Sequence, residues 1–235
     1  MISETAEKAL EAYGGKNLWK SAKKIEAEVS TTGLLFTMKM RPLFHRVKIE
    51  LIVPEPICKI SQIGKEKNVC GILDHHHVRL ENANGNILEE RNNARTFFPY
   101  GRRLFRWDDL DMSYFANYAF WNYFTFPNLL LRNDILWTEP QPGILDAVFP
   151  DNFPTHSKHQ GFVFDRKTGL LSQHNYTAEV VSSLATAANV VKEHQDFYGI
   201  QFPSHRVVTP RKKNGQARSQ PTLVEIFVHD LKIIT

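Results

Sequence analysis

Residues 107–132 read WDDLDMSYFANYAFWNYFTFPNLLLR, and this stretch decides the fold. Three aspartates, Asp108, Asp109 and Asp111, stand at its start, where they suit the positive end of a helix dipole. Tyr114, Tyr118 and Trp121 follow at i, i+4 and i+7 and share one helical face, while Phe115, Ala119, Asn122 and Phe126 share the neighbouring one. Pro127 predicts a kink or restart, with Asn128 to Leu131 as a final turn. The predicted helix is apolar over most of its circumference and has to be covered on several sides. One flat sheet face covers a single side, whereas a sheet that curls around the helix covers the rest.

The flanking sequence supplies that sheet. Residues 24–30 (KIEAEVS) alternate with period two, the pattern of a strand with one wet and one buried face. Val47, Ile49, Leu51 and Val53 fall on one parity, and Arg46, Lys48 and Glu50 on the other. Strands are predicted over 69–80 and 87–91 around Asn84-Gly85, and over 162–164 and 170–181 around Lys167-Thr168-Gly169. Residues 190–198, 205–209 and 223–233 complete the series. Many strands with turn chemistry between them and no βαβ rhythm imply antiparallel pairing. Ser3 is the expected N-cap of a short helix through Ala6, Leu10 and Tyr13, ended by Gly14-Gly15. The segment from Glu139-Pro140-Gln141-Pro142-Gly143 to Pro154 predicts a long loop over the barrel mouth.

No repeat or low-complexity linker divides the chain, so residues 1–235 are expected to form one domain. Its expected class is α+β: a strongly curved antiparallel sheet, an unclosed barrel, wrapped around a central aromatic-rich helix with a short N-terminal helix. Hydrophobic content of 42% and charged content of 23% exclude disorder. The net charge of +4 invites nucleic acid, but the basic residues are scattered rather than gathered on a stripe. Arg211-Lys212-Lys213 with Asn214-Gly215 reads as a solvated hairpin tip, so no nucleic-acid partner is expected. Cys58 and Cys70 read as buried thiols. Residues 1–8 lack a basic start followed by an apolar run, which predicts a cytoplasmic setting, or a periplasmic one for a trimmed chain. No transmembrane segment is predicted.

The opening Ala6-Glu7-Lys8-Ala9-Leu10-Glu11-Ala12-Tyr13-Gly14-Gly15, the early Trp19 and a strand beginning near Ile25 resemble the start of the LolA-like family of outer-membrane lipoprotein carriers. The segment Phe197-Tyr198-Gly199-Ile200-Gln201-Phe202-Pro203-Ser204 is similar to the one with which these proteins enter their last strands. Residues 107–115 resemble a bacterial group of that type whose function is not assigned. The resemblance implies an unclosed barrel with helices on its concave side and an apolar cavity for acyl chains.

Among polar residues, His174 and Tyr176 share a parity with Ala178 and Val180, which places them on the inward face. Such a pair is a candidate acid/base couple or a polar anchor, against the plainer reading of core side chains satisfied by backbone. His194 lies on a strand with apolar residues on both parities, so its facing is unreadable. Arg206 has the fork of donors that holds a carboxylate or phosphate, although a strand arginine is more simply solvent-facing. Asp109, with Asp108 and Asp111, is a candidate acid/base carboxylate if buried and a helix cap if not. Tyr114, Tyr118 and Trp121 are the expected ligand-facing wall, or core. His75-His76-His77 would alternate along a strand, placing at most two toward one metal, so no metal site is predicted. No nucleotide or phosphate-loop fingerprint is present, and no cofactor is expected.

Three functions follow from these features. The first is binding of a lipid, isoprenoid or aromatic metabolite in an apolar cavity between sheet and helix. The second is cofactor-independent catalysis there, as a cyclase, isomerase or decarboxylase using His174 and Tyr176. The third is an interaction module without ligand, presenting a sheet edge or the 139–154 segment.

Overall fold

The structure is a computed structural model, and it describes residues 3–235. One meander comprises β1 (Lys24–Thr32), β2 (Val47–Ile52), β3 (Ile57–Ile60), β4 (Cys70–Asp74), β5 (His77–Glu81) and β6 (Ile87–Arg91). A second comprises β7 (Leu136–Gln141), β8 (Ile144–Val148), β9 (His159–Phe164), β10 (Leu171–Thr177), β11 (Thr186–Phe197), β12 (Ile200–Pro210) and β13 (Val224–Ile234). They fuse where β1 pairs antiparallel with β13, Lys24 opposite Ile234 and Ala27 opposite Leu231. The result is one 13-stranded antiparallel sheet that stays unclosed, with β6 and β7 as its edges.

The period-two signal is realised strictly on β2, whose residues alternate buried and exposed from Val47 to Ile52. Curvature follows from right-handed strand twist and from register slips, such as that at Glu28/Val29 against β13. Ser3 caps α1 (Glu4–Ala12), accepting a hydrogen bond from the Ala6 N–H, and Gly14 and Gly15 both take positive φ after it. A second short helix, α2 (Lys16–Ser21), and a third, α3 (Leu34–Met38), were not visible in the sequence pattern.

Helix α4 (Asp109–Phe124) is buried at every position from Leu110 to Phe124. Asp108 is its N-cap in a capping box: the Asp108 carboxylate accepts from the Asp111 N–H at 2.7 Å, and the Asp111 carboxylate accepts from the Asp108 N–H at 3.1 Å. Pro127 restarts the helix as α5 (Phe126–Leu129). On one side α4 packs against β3, β4 and β5. Gly71 of β4 allows the closest approach: a Cβ there would strike Ser113 Oγ and lie 2.9 Å from Ser113 Cβ and 3.0 Å from Ile63 Cγ1. Asn117 Nδ2 donates to the Gly71 carbonyl at 3.2 Å across the same contact. Replacing Gly71 by valine is therefore expected to cost about 1–3 kcal/mol through overpacking, read as a lower urea midpoint with unchanged slope. A midpoint equal to wild type would mean that helix and strand are not in firm contact.

Three expectations are corrected. The single strand over 69–80 is two strands joined by a tight turn at His75-His76, where His75 takes φ 55. His75 bonds Asp74 and Glu55 while His77 bonds Glu90, so the histidine run is a solvated turn with carboxylate partners. The expected loop over 139–154 is largely the β7–β8 hairpin, turning at Pro142-Gly143, with loop only from residue 149 onward. Pro140 is tolerated because β7 is an edge strand.

Candidate functional site

Inward positions of β1, β12 and β13 face α4 across a small cavity of about 30 Å³. Met112, Phe115, Ala116, Ala119, Phe120 and Tyr123 line it from the helix; Thr31, Tyr176, Val208, Val224 and Ile226 line it from the strands. Ala116 and Ala119 open this space on a helix half of whose other positions are aromatic. Phe36 of α3 and Phe44 cover it, packed edge-to-face with ring centres 5.8 Å apart. As it stands, the volume suits roughly two water molecules, so a larger guest requires Phe36 and Phe44 to move. A groove of about 750 Å³ between α1, α2 and residues 130–138 is larger, but none of its lining residues has a buried, unpartnered polar atom among the described residues.

The inner end of the cavity is polar. The Tyr123 hydroxyl lies 2.7 Å from His156 Nε2 and 2.8 Å from the Tyr176 hydroxyl, and the Tyr118 hydroxyl lies 3.2 Å from His156 Nδ1. The His156 ring stacks on Tyr176 at 3.8 Å, nearly parallel. Arg95 Nη1 donates to the Thr155 carbonyl at 2.6 Å, which fixes the loop that presents His156. His174 Nε2 is 2.6 Å from Gln160 Oε1, and its ring stacks on Phe162 at 4.2 Å. The Arg206 guanidinium lies over the Tyr123 ring, 5.3 Å from its centre. Burial pushes the Tyr123 phenol up to about 12, holds the His156 imidazole down to about 3 and pulls Arg206 below the usual arginine range.

The inward placement of His174 and Tyr176 is seen, both buried, although their rings meet edge-on at 5.0 Å and neither bonds the other. Arg206 is inward and buried; the solvent-facing reading is corrected. His194 bonds the Tyr13 hydroxyl at 3.0 Å, not His174. Asp109 pairs with Arg41 in the first turn of α4, some 21 Å along the helix from Tyr123, and is not brought together with the His174–Tyr176 pair. None of the expected wall residues Tyr114, Tyr118 and Trp121 lines the cavity directly. Tyr114 stacks on Phe98, Tyr118 reaches His156, and Trp121 Nε1 donates to the Ile52 carbonyl at 2.7 Å. A helix apolar all round gives no indication of which side is left open; the two alanines mark it. His156 and Gln160 went unnoticed because they sit in a loop and at the start of β9, outside any periodic pattern.

Chemically, a neutral imidazole between two protonated phenols is a structural hydrogen-bond chain. A general base works best poised near neutrality, and His156 is held far below it. Among the described residues, no group of three His, Cys, Asp or Glu side chains is placed to hold a metal ion, and no helix is long and apolar enough to cross a membrane.

No family model and no curated protein matches the sequence. Solved structures do match in shape. A LolA superfamily protein from Nitrosomonas europaea aligns with TM-score 0.52 at 8% identity, covering 100% of this chain and 94% of the other. A domain assigned to outer membrane lipoprotein sorting, from Vibrio parahaemolyticus, aligns with TM-score 0.51 at 10% identity, covering 99% of this chain and 92% of the other. The chain therefore has a LolA-like fold, a large curved antiparallel sheet left open at both edges.

Proposed function

We propose that the protein binds a hydrophobic small molecule, of lipid, isoprenoid or aromatic class, between the curved sheet and the central helix α4. The observation that supports this best is the cavity beside Ala116 and Ala119, apolar except at its Tyr123–Tyr176 end and covered by Phe36 and Phe44. Around that cover, Leu34, Met38 and Met40 are exposed apolar side chains, a fitting rim for a site that admits an apolar guest. Burying the guest contributes roughly 25 cal/mol per Å² of apolar surface. One neighbour in shape is assigned to outer membrane lipoprotein sorting, and on that likeness we propose the cell envelope for this chain in preference to the cytoplasm.

Organic extraction of protein purified from its own host, followed by mass spectrometry, is expected to release one apolar compound class in near-stoichiometric amount. Ala119→Leu fills part of the cavity and is expected to lower that yield at least tenfold, with a stability change within roughly 1–3 kcal/mol. Extracts without any enriched compound, or equal yields from both proteins, would refute the proposal.

A further inference from the structure

Among the described residues, the buried charged groups of Lys39 and Asp111 have hydrogen-bond partners, Lys39 two backbone carbonyls and Asp111 a cluster of arginines, and Arg206 is the conspicuous exception. The Asp111 carboxylate, fully buried, is held by Arg91, Arg102 and Arg103. Arg95 reaches the Thr155 carbonyl and the Glu179 carboxylate. Arg206 is only 1% exposed, yet its Nε and Nη1 have no hydrogen-bond partner, and none of the ion pairs among the described residues includes it. A buried cation without an anion is costly, and the usual resolution is a hydrogen-bonded partner of opposite charge.

The surroundings show what kind of partner fits. Arg206 lies opposite Val191 on β11, and Asn189 lies opposite Val208, so Asn189, Val191, Arg206 and Val208 share the inward face. Ser204 is two residues from Arg206 on the same face and is buried. Asn189 is fully buried with both amide atoms unpartnered; it sits next to the Tyr123 phenol, but no hydrogen bond of ordinary geometry joins them. The Ser204 hydroxyl is unpartnered as well. A guanidinium fork, an amide N–H₂ and a hydroxyl are donors for an oxyanion. Val208 and Tyr123, which flank this donor set, also line the apolar cavity.

We infer that Arg206, Asn189 and Ser204 form a subsite for the oxyanion head, carboxylate or phosphate, of an amphiphile whose tail lies in the cavity. The inference rests on the cavity being a ligand site. It makes the guest an acid with an apolar chain, and the head replaces the counter-ion that the fold omits.

Displacement of a fluorescent acyl probe by dodecanoate, dodecyl phosphate and dodecanol tests this. Wild type is expected to bind at least one of the anions tenfold or more tighter than the alcohol, and the preferred anion identifies the head. Arg206→Met is expected to bind dodecanol unchanged while its anion preference falls to about one. Should Arg206→Met fail to fold, Arg206→Lys keeps the charge without the fork and is expected to lose several-fold in preference. Equal binding of alcohol and anions by wild type, or an unaltered preference in whichever variant folds, would overturn the inference. If none of the three amphiphiles binds, the cavity reading fails by itself, and thermal shift with inorganic phosphate and acetate then decides the subsite. Stabilisation of wild type but not of the variant supports an anion site there; no stabilisation of wild type overturns it.

Discussion

Acidification from pH 7 to pH 5 is expected to remove at least about 2 kcal/mol of folding stability, because His156 and His174 are buried in their neutral form. Burial holds His156 at about 3 and His174 well below 6.5. The unfolded chain titrates near 6.5, so below that pH it takes up protons that the folded chain refuses. Both folded pKa values are depressed, so the contribution is complete above pH 6.5 and is lost as pH falls toward the folded values. At pH 5 the solution is about 1.5 units below the unfolded pKa, which is worth ~2 kcal/mol for His156 at ~1.4 kcal/mol per unit, and His174 adds to it in the same direction. His194, partly buried and at about 4, contributes in the same direction. Urea titrations between pH 7.5 and pH 5 read the slope directly. His156→Gln should flatten it by about 1.4 kcal/mol per pH unit. A stability that stays constant over this window, or rises on acidification, would mean that the histidines are solvated or paired in the folded state.

Loss of the Asp111 carboxylate is the substitution expected to damage the fold most. It is fully buried, and Arg91 Nη1, Arg103 Nε and Arg102 Nη1 reach it at 2.6, 2.6 and 2.8 Å. It also closes the capping box of α4. Asp111→Ala removes one anion and leaves three guanidiniums crowded around an apolar gap, one desolvated partner being worth about 3–5 kcal/mol. For a domain of this size that corresponds to a melting temperature lower by roughly 10 °C. Asp108 shares the cluster from a more exposed position. Burial alone would raise its pKa, but the Arg91 and Arg102 guanidiniums hold it at about 2. Asp108→Ala is accordingly expected to cost about 1–2 kcal/mol, mainly as a lost cap. Equal losses for the two alanine variants would show that the arginines follow whichever carboxylate remains.

The legible parts of the fold were those with a period. β1 and β2 have one wet face and read correctly; α4 has no wet face and read correctly as a helix in need of cover. β3 has only four residues, Ile57–Ile60, too few for an alternation to stand out. β7 was hidden by Pro140, and the His75-His76 turn by residues that lack the usual glycine or asparagine chemistry. The inward facing of His174 and Tyr176 was readable from Ala178 and Val180. Their partners were not, because Tyr123, His156 and Gln160 arrive from a helix, a loop and another strand. The partners of Trp121 and Tyr118 were unreadable for the same reason: both were expected to form a ligand-facing wall or core, and Trp121 bonds the Ile52 carbonyl while Tyr118 bonds His156.

The seam between β1 and β13 has a bearing on the order of assembly. Each meander is built from neighbours in sequence, so its pairings close over connections of at most 14 residues. The seam joins residues about 200 positions apart, with Lys24 opposite Ile234, and has to form across nearly the whole chain. Loop-closure entropy makes such a contact late. Two half-sheets are therefore expected to form before the whole one does, each with a temporary raw edge at what becomes the centre. In that interval the inner faces around α4 would be open to solvent, and the proposed guest would meet no cover to displace.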